Sequence, residues 1–155
     1  MYVFVLDTYM MLSYEKSVDN EPVGNGKRKK RNDAATACRV PLTDGVRANA
    51  SYMKEKWGCK NNAITSMTLC NAPKDTKITL YDDEELGEQD DYALIEVKEN
   101  MNGCETISTF EVTKVLGTVD LSYKKNDGLD GNVSSFKVDF GNFSLRYFIP
   151  KIVFQ

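Results

Sequence analysis

Short runs of alternating apolar and polar residues, broken by clusters of Gly, Asn, Asp and Pro, fill most of this chain. Ile78-Thr79-Leu80-Tyr81 and Tyr92-Ala93-Leu94-Ile95-Glu96-Val97 read as strands by their β-branched and aromatic content. Ile107 to Val115 and Val119 to Tyr123 read as further strands, split by Gly117. Phe136 to Phe140 continues the series, and Phe143-Ser144-Leu145-Arg146-Tyr147-Phe148 alternates cleanly until Pro150, which ends that strand or confines it to an edge. The tail 151–155 is apolar and expected to pack. Residues 1–16 alternate less well, and both a strand and a helix over 8–15 fit them. One helix stands out: Val46, Ala50, Met53 and Trp57 form a single apolar stripe, Lys54, Glu55 and Lys56 face water, and Gly58 supplies the stop. Many short strands with regular turns and little helix predict an all-β sandwich.

The breaks between these runs are equally legible. Residues 17–37 combine Asp19-Asn20-Glu21-Pro22, Gly24-Asn25-Gly26 and the basic run Lys27-Arg28-Lys29-Lys30-Arg31, a composition that predicts an exposed loop or linker. The run suits a solvated loop, a dibasic cleavage site that would leave a chain starting at Asn32, or a nuclear-import tag. Asn71-Ala72-Pro73-Lys74-Asp75 is a turn-rich connector, and Asn102-Gly103 and Asn126-Asp127-Gly128 mark later turns.

Composition narrows the chemistry. A chain of 155 residues, 41% of them hydrophobic, is most simply one soluble domain with a real core. No apolar run approaches the ~20 residues that span a bilayer, and Met1 to Leu6, cut short by Asp7, reads as a strand rather than a signal peptide. Localisation stays open between the cytoplasm and secretion after processing. A net charge of −3 argues against nucleic acid as a partner of the whole chain. There is no histidine, so Ser-His-Asp and Cys-His catalysis and His-ligated zinc are excluded. Cys38, Cys59, Cys70 and Cys104 contain no C-x-x-C; free thiols or two disulfides in any of three pairings both fit, and a Cys59–Cys70 bridge would bracket the strand between them.

Against that background one pattern occurs twice. Asn61-Asn62-Ala63-Ile64-Thr65-Ser66 and Asp130-Gly131-Asn132-Val133-Ser134-Ser135 each set polar turn residues before a β-branched residue, two hydroxyls and an alternating strand. A repeated turn-plus-strand unit indicates two copies of one supersecondary block. Hydroxyls beside a carbonyl-rich turn are oxygen chemistry suited to Ca²⁺.

These residues resemble the βγ-crystallin family, whose Greek-key motifs end in N/D-N/D-X-X-S/T-S; the second copy departs from it only at Gly131. Lys77 to Gly87 looks like the opening hairpin of such a motif, an aromatic-ended strand entering a loop closed by glycine. The resemblance covers residues 60–148 and implies a Greek-key β-sandwich with a short helix before the last strand of the first motif. Within a single domain it implies a first Greek key over 1–70 with the basic loop 17–37, a second over 78–138 with an insertion at 98–125, and a C-terminal strand in 139–155. The first motif lacks a recognisable opening hairpin, so its opening is the segment 1–24 or is degenerate.

In the family, the turn of one motif meets the opening loop of the other around calcium. Carried over, Asn61, Asn62 and Thr65 would face Asp82, Asp83, Glu84 and Glu85, while Asp130, Gly131 and Ser134 would face a loop within 7–24. The same turn residues also serve purely local hydrogen bonding. The resemblance implies a non-enzymatic calcium-binding protein, in which calcium stabilises fold or assembly in a structural or stress-related role, with calcium ions and a homo-oligomeric or protein partner. The alternative is a secreted, disulfide-bonded toxin or inhibitor on the same fold, matured after Arg31. Asn49-Ala50-Ser51, Asn132-Val133-Ser134 and Asn142-Phe143-Ser144 match the glycosylation tripeptide, and a glycan on Asn132 would crowd the second corner.

Overall fold

The burial pattern of a central strand shows how the chain is layered: from Tyr92 to Val97, half-buried and fully buried positions alternate strictly, as they must where one face of a sheet meets a core. A computed structural model describes residues 7–23, 27–124 and 128–141. Ten strands and one helix follow in order: β1 (Tyr9–Val23), β2 (Lys27–Pro41), β3 (Arg47–Ala48), α1 (Ala50–Trp57), β4 (Ile64–Cys70), β5 (Lys77–Tyr81), β6 (Tyr92–Val97), β7 (Cys104–Ile107), β8 (Lys114–Leu116), β9 (Val119–Lys124) and β10 (Ser135–Asp139). They build two sheets, one ordered β2-β1-β4-β7 and the other β3-β10-β5-β6-β9-β8, and every pairing is antiparallel. The all-β sandwich expected from the strand pattern is thus present.

Each sheet takes one strand from the other half of the chain. β3 leaves β1, β2 and β4 to pair with β10, and β7 leaves its neighbours to pair with β4. Met10, Leu12, Val40, Ile64, Met67, Leu69 and Ile107 come from one sheet and Ile78, Leu80, Ile95, Val97, Leu121, Phe136 and Val138 from the other, all buried in one cluster. Full burial of such a side chain contributes about 1.5–3 kcal/mol, so the core rather than any single polar contact holds the layers together.

Three expectations need correction. Residues 17–23 and 27–37 are not a loop: β1 and β2 pair along both their lengths, and the basic run lies in β2. Turn-forming composition there yields to cross-strand pairing, and β2 is an edge strand of its sheet. β1 reaches β4 only between Tyr9 and Tyr14, so beyond that point the hairpin continues as a two-stranded ribbon. Secondly, 107–115 is not one strand; β7 ends at Ile107 and the separate β8–β9 hairpin extends the second sheet, which is where the extra length between the two corners goes. Thirdly, the cysteines pair Cys38–Cys59 and Cys70–Cys104, not Cys59–Cys70. Cys59 and Cys70 lie at opposite ends of a strand and its lead-in, too far apart to bridge.

The helix is as expected, apart from Val46, which precedes it. Asn49 caps it by accepting the Tyr52 amide at 2.9 Å, and Gly58 ends it at φ 69, with the Cys59 amide reaching back to the Met53 carbonyl. That left-handed terminator suits glycine. The expected strand 143–148, the tail 151–155, residues 1–6 and the turns at 24–26 and 126–127 lie outside the described residues. Among the described residues no helix is long and apolar enough to cross a membrane.

Candidate functional site

The two repeated corners share a backbone device. The second position of each is left-handed, Asn62 at φ 52 and Gly131 at φ 83. Asparagine and glycine are the residues that enter this region most readily, so the substitution of Gly131 for an Asn or Asp keeps the turn and loses only the side chain. The fourth positions, Ile64 and Val133, are both fully buried and pin the corners to the core. At the first corner Ser66 pairs with Ser13 and Ile64 with Tyr14, which leaves Thr65 as the extra residue of a β-bulge. Bulges redirect side chains at the end of a pairing.

The corners also meet. Ser134 donates its hydroxyl proton between Asn62 Oδ1 at 2.8 Å and the Asn132 carbonyl at 3.2 Å, while the Gly131 amide donates to the Ile64 carbonyl at 2.9 Å. Ser134 therefore belongs with Asn62, not with the segment 7–24. Its own amide donates to the Tyr81 carbonyl at 2.8 Å, which brings it to the start of the acidic loop. Next to it, Ser135 donates to the Asp83 carbonyl at 2.5 Å and accepts the Leu86 amide at 3.2 Å, so the second corner holds the loop after β5 through the Ser135 hydroxyl. Thr65 departs from the expected grouping as well, because its strand neighbours pair with β1 rather than with residues 82–85.

Within that loop the acids have separate tasks. Asp83 Oδ1 accepts the Glu85 amide at 2.6 Å, and its carboxylate lies over Gly87, where a Cβ would come within 2.9 Å of Oδ2. A larger residue at position 87 would require the Asp83 side chain to move. The Asp82 amide donates to the Asp91 carbonyl, and Glu84 and Glu85 are exposed. Asn61 is exposed in the first turn. Asp130 faces neither loop: its carboxylate accepts from Thr109 Oγ1 at 2.5 Å and the Phe110 amide at 2.8 Å.

Sequence reasoning missed the most buried acid. Asp91 is 0% exposed and accepts from the Tyr123 hydroxyl and, at 2.6 Å, from the Gly128 amide. It thereby ties β9 and the lead-in to the second corner to the end of the acidic loop. Burial, then the hydrogen bond to Asp91, push the Tyr123 hydroxyl far above the ordinary tyrosine range, and the carboxylates of Glu111 and Asp130 push the same way. Burial, followed by its contact with Asp130, also raises the Glu111 carboxyl. No motif marks Asp91; in sequence it is one more acid in a charged stretch, and only its position just before an alternating strand hints otherwise.

Chemically, the junction gathers an amide oxygen (Asn62), two hydroxyls (Ser134, Ser135) and the carbonyls of Tyr81, Asp83 and Asn132. Among the described residues no three His, Cys, Asp or Glu side chains converge closely enough to hold a metal ion. The Asn132 amide donates to the Gly128 carbonyl at 3.0 Å on an exposed residue, and the Asn142 tripeptide lies outside the described residues. Comparison of the chain with models of protein families, with curated proteins and with solved structures finds no match in any of the three.

Proposed function

We propose that this is a non-enzymatic, calcium-binding protein of βγ-crystallin type, with two Greek-key halves and an ion held where Asn62 of one half meets Ser134 of the other. The observation that carries the reading is that contact, 2.8 Å between residues far apart in sequence, joined with left-handed backbone at the second position of both corners. The exchange of β3 and β7 between sheets supports two interlocked halves of one kind. Hard oxygens of neutral type are what Ca²⁺ takes in part of its shell, and Asn62, Ser134 and the Tyr81 carbonyl would supply them. Asp82 and Asp83 follow Tyr81 directly in the chain and would bring the negative charge. The other corner is poorer, since Gly131 offers no side chain. Calcium would then stabilise the fold, or its assembly, in a structural or stress-related role.

Binding to the folded state alone adds stability by mass action, about 2.7 kcal/mol at one hundred times Kd. Chelator-stripped protein titrated with Ca²⁺ in a calorimeter should therefore show saturable binding and a raised melting temperature. Asn62→Ala and Asp83→Ala should each shrink that rise. Identical melting curves with chelator and with millimolar Ca²⁺ would refute the reading.

The two disulfides favour keeping a second reading, a secreted toxin or inhibitor, because such bonds persist in oxidising compartments. Its maturation step fares worse. A cut after Arg31 would separate β1, with the buried Met10 and Leu12, from the remaining chain, and neither disulfide would retain it. Mass spectrometry of native material decides this: a chain starting at Asn32 supports the second reading, and an uncut one removes its maturation step.

A further inference from the structure

A groove made of none of the corner residues crosses the molecule beside α1. One depression of about 360 Å³ is bordered by Asp7, Tyr9, Arg39, Pro41 and Trp57. A second, of about 320 Å³, continues from Pro41 and Trp57 past Asp44, Tyr52 and Lys56. Trp57 therefore divides one continuous strip. Its indole is half-buried, held from beneath by Phe136 at 5.7 Å between ring centroids and flanked edge-on by Tyr52 at 5.3 Å. Tyr52 is 44% exposed, one of two large hydrophobic side chains so open among the described residues. On the other side the Arg39 guanidinium lies 4.0 Å over the Tyr9 ring and 3.9 Å from Asp7.

These features select among ligand classes. The acids and bases bordering the strip balance, Asp7 with Arg39 and Asp44 with Lys56, so it attracts neither polyanions nor cations. Both depressions are open to solvent, whereas an apolar ligand gains most from a site that encloses it. Aromatic rings offer flat apolar surface with a negative face that attracts polarised C–H groups. Forked or planar polar groups at the rim, such as Arg39, Asp7 and Asp44, bind hydroxyls in pairs. A neutral molecule with one apolar face and a rim of hydroxyls is a sugar ring. We propose that this groove binds a neutral oligosaccharide, with one ring seated on each side of Trp57.

The chain has a single tryptophan, so its emission reports this groove. Intact, oxidised protein is titrated with maltotetraose, cellotetraose, chitotetraose and mannotetraose. At least one should change Trp57 emission saturably. Tyr52→Ala and Arg39→Ala should each weaken that binding roughly tenfold, the order expected for losing one ring or one forked contact, with melting temperatures close to the parent. If Tyr52→Ala proves unstable, Lys56→Ala replaces it, with the same expectation of weaker binding. The proposal is overturned if none of the four sugars gives a saturable change. It is equally overturned if glycerol at matched mass produces the same change, or if the variants bind as tightly as the parent.

Discussion

The two corners use one backbone turn but are fastened by different means. Around Asn61–Ser66 the fastening is covalent: Cys59 just ahead is bonded to Cys38, and Cys70 at the end of the strand is bonded to Cys104. Thr65 and Ser66 stay half-buried there. Around Asp130–Ser135 no cysteine lies near in the chain, and Ser134 and Ser135 are buried outright. That corner is fixed by carboxylates, Asp130 on the 109–110 backbone and hydroxyl and Asp91 on Tyr123 and Gly128. A disulfide acts mainly by restricting the unfolded chain, whereas a buried carboxylate acts only while every donor is in place. One chain thus secures two copies of a turn by constraints that respond to different insults.

The largest effect should come from the covalent side. Removing a native disulfide from a small domain costs about 2–5 kcal/mol, so dithiothreitol should lower the melting temperature steeply. Amide exchange should then lose protection at Met67 and Leu69 before Ile95 and Leu121. The reverse order would break the comparison. Next in size is Tyr123→Phe, which leaves the buried Asp91 carboxylate short of one donor and should cost about 1–3 kcal/mol in urea unfolding. An unchanged midpoint would mean that Asp91 does not fasten the second corner.

Smaller, and more pointed, is the turn itself. Gly131 has φ 83 and open space where a Cβ would stand, so Gly131→Ala should cost about 1–2 kcal/mol through backbone alone. Gly131→Asn should cost less and give the second corner the side-chain oxygen that Asn62 gives the first. Calorimetry should then register an additional calcium equivalent. The smallest effect concerns Glu111. Because its folded carboxyl titrates above the usual range, its contribution to stability is full below the unfolded value of ~4.3 and declines as pH rises through the folded one. Glu111→Gln should match the parent near about pH 3 and melt slightly higher near about pH 7. A variant less stable than the parent at neutral pH would contradict the sign.

Much of this was legible in the chain. Alternation over Tyr92–Val97, the stripe ending at Trp57 and the stop at Gly58 located a strand, the helix and its cap, because each depends on neighbours a few residues away. The double N/D-x-x-x-S/T-S pattern located both corners for the same reason. Residues 17–37 misled because Gly, Pro and charge are local signals, while β2 exists through pairing with β1. Which hydroxyl meets which turn was likewise out of reach: the grouping of Ser134 depends on sheet order, and that is fixed by the core. Asp91 was invisible because burial is a property of the whole sandwich.

The traded strands β3 and β7 carry a consequence for how the molecule is made. β4 emerges from the ribosome well before the partner on its outer flank, and β3 waits until nearly all of the described chain has been synthesised before β10 exists. The first sheet is complete once β7 has been made, whereas the second stays open until β10 follows it. A gene fragment encoding either half alone would yield a product with an open seam.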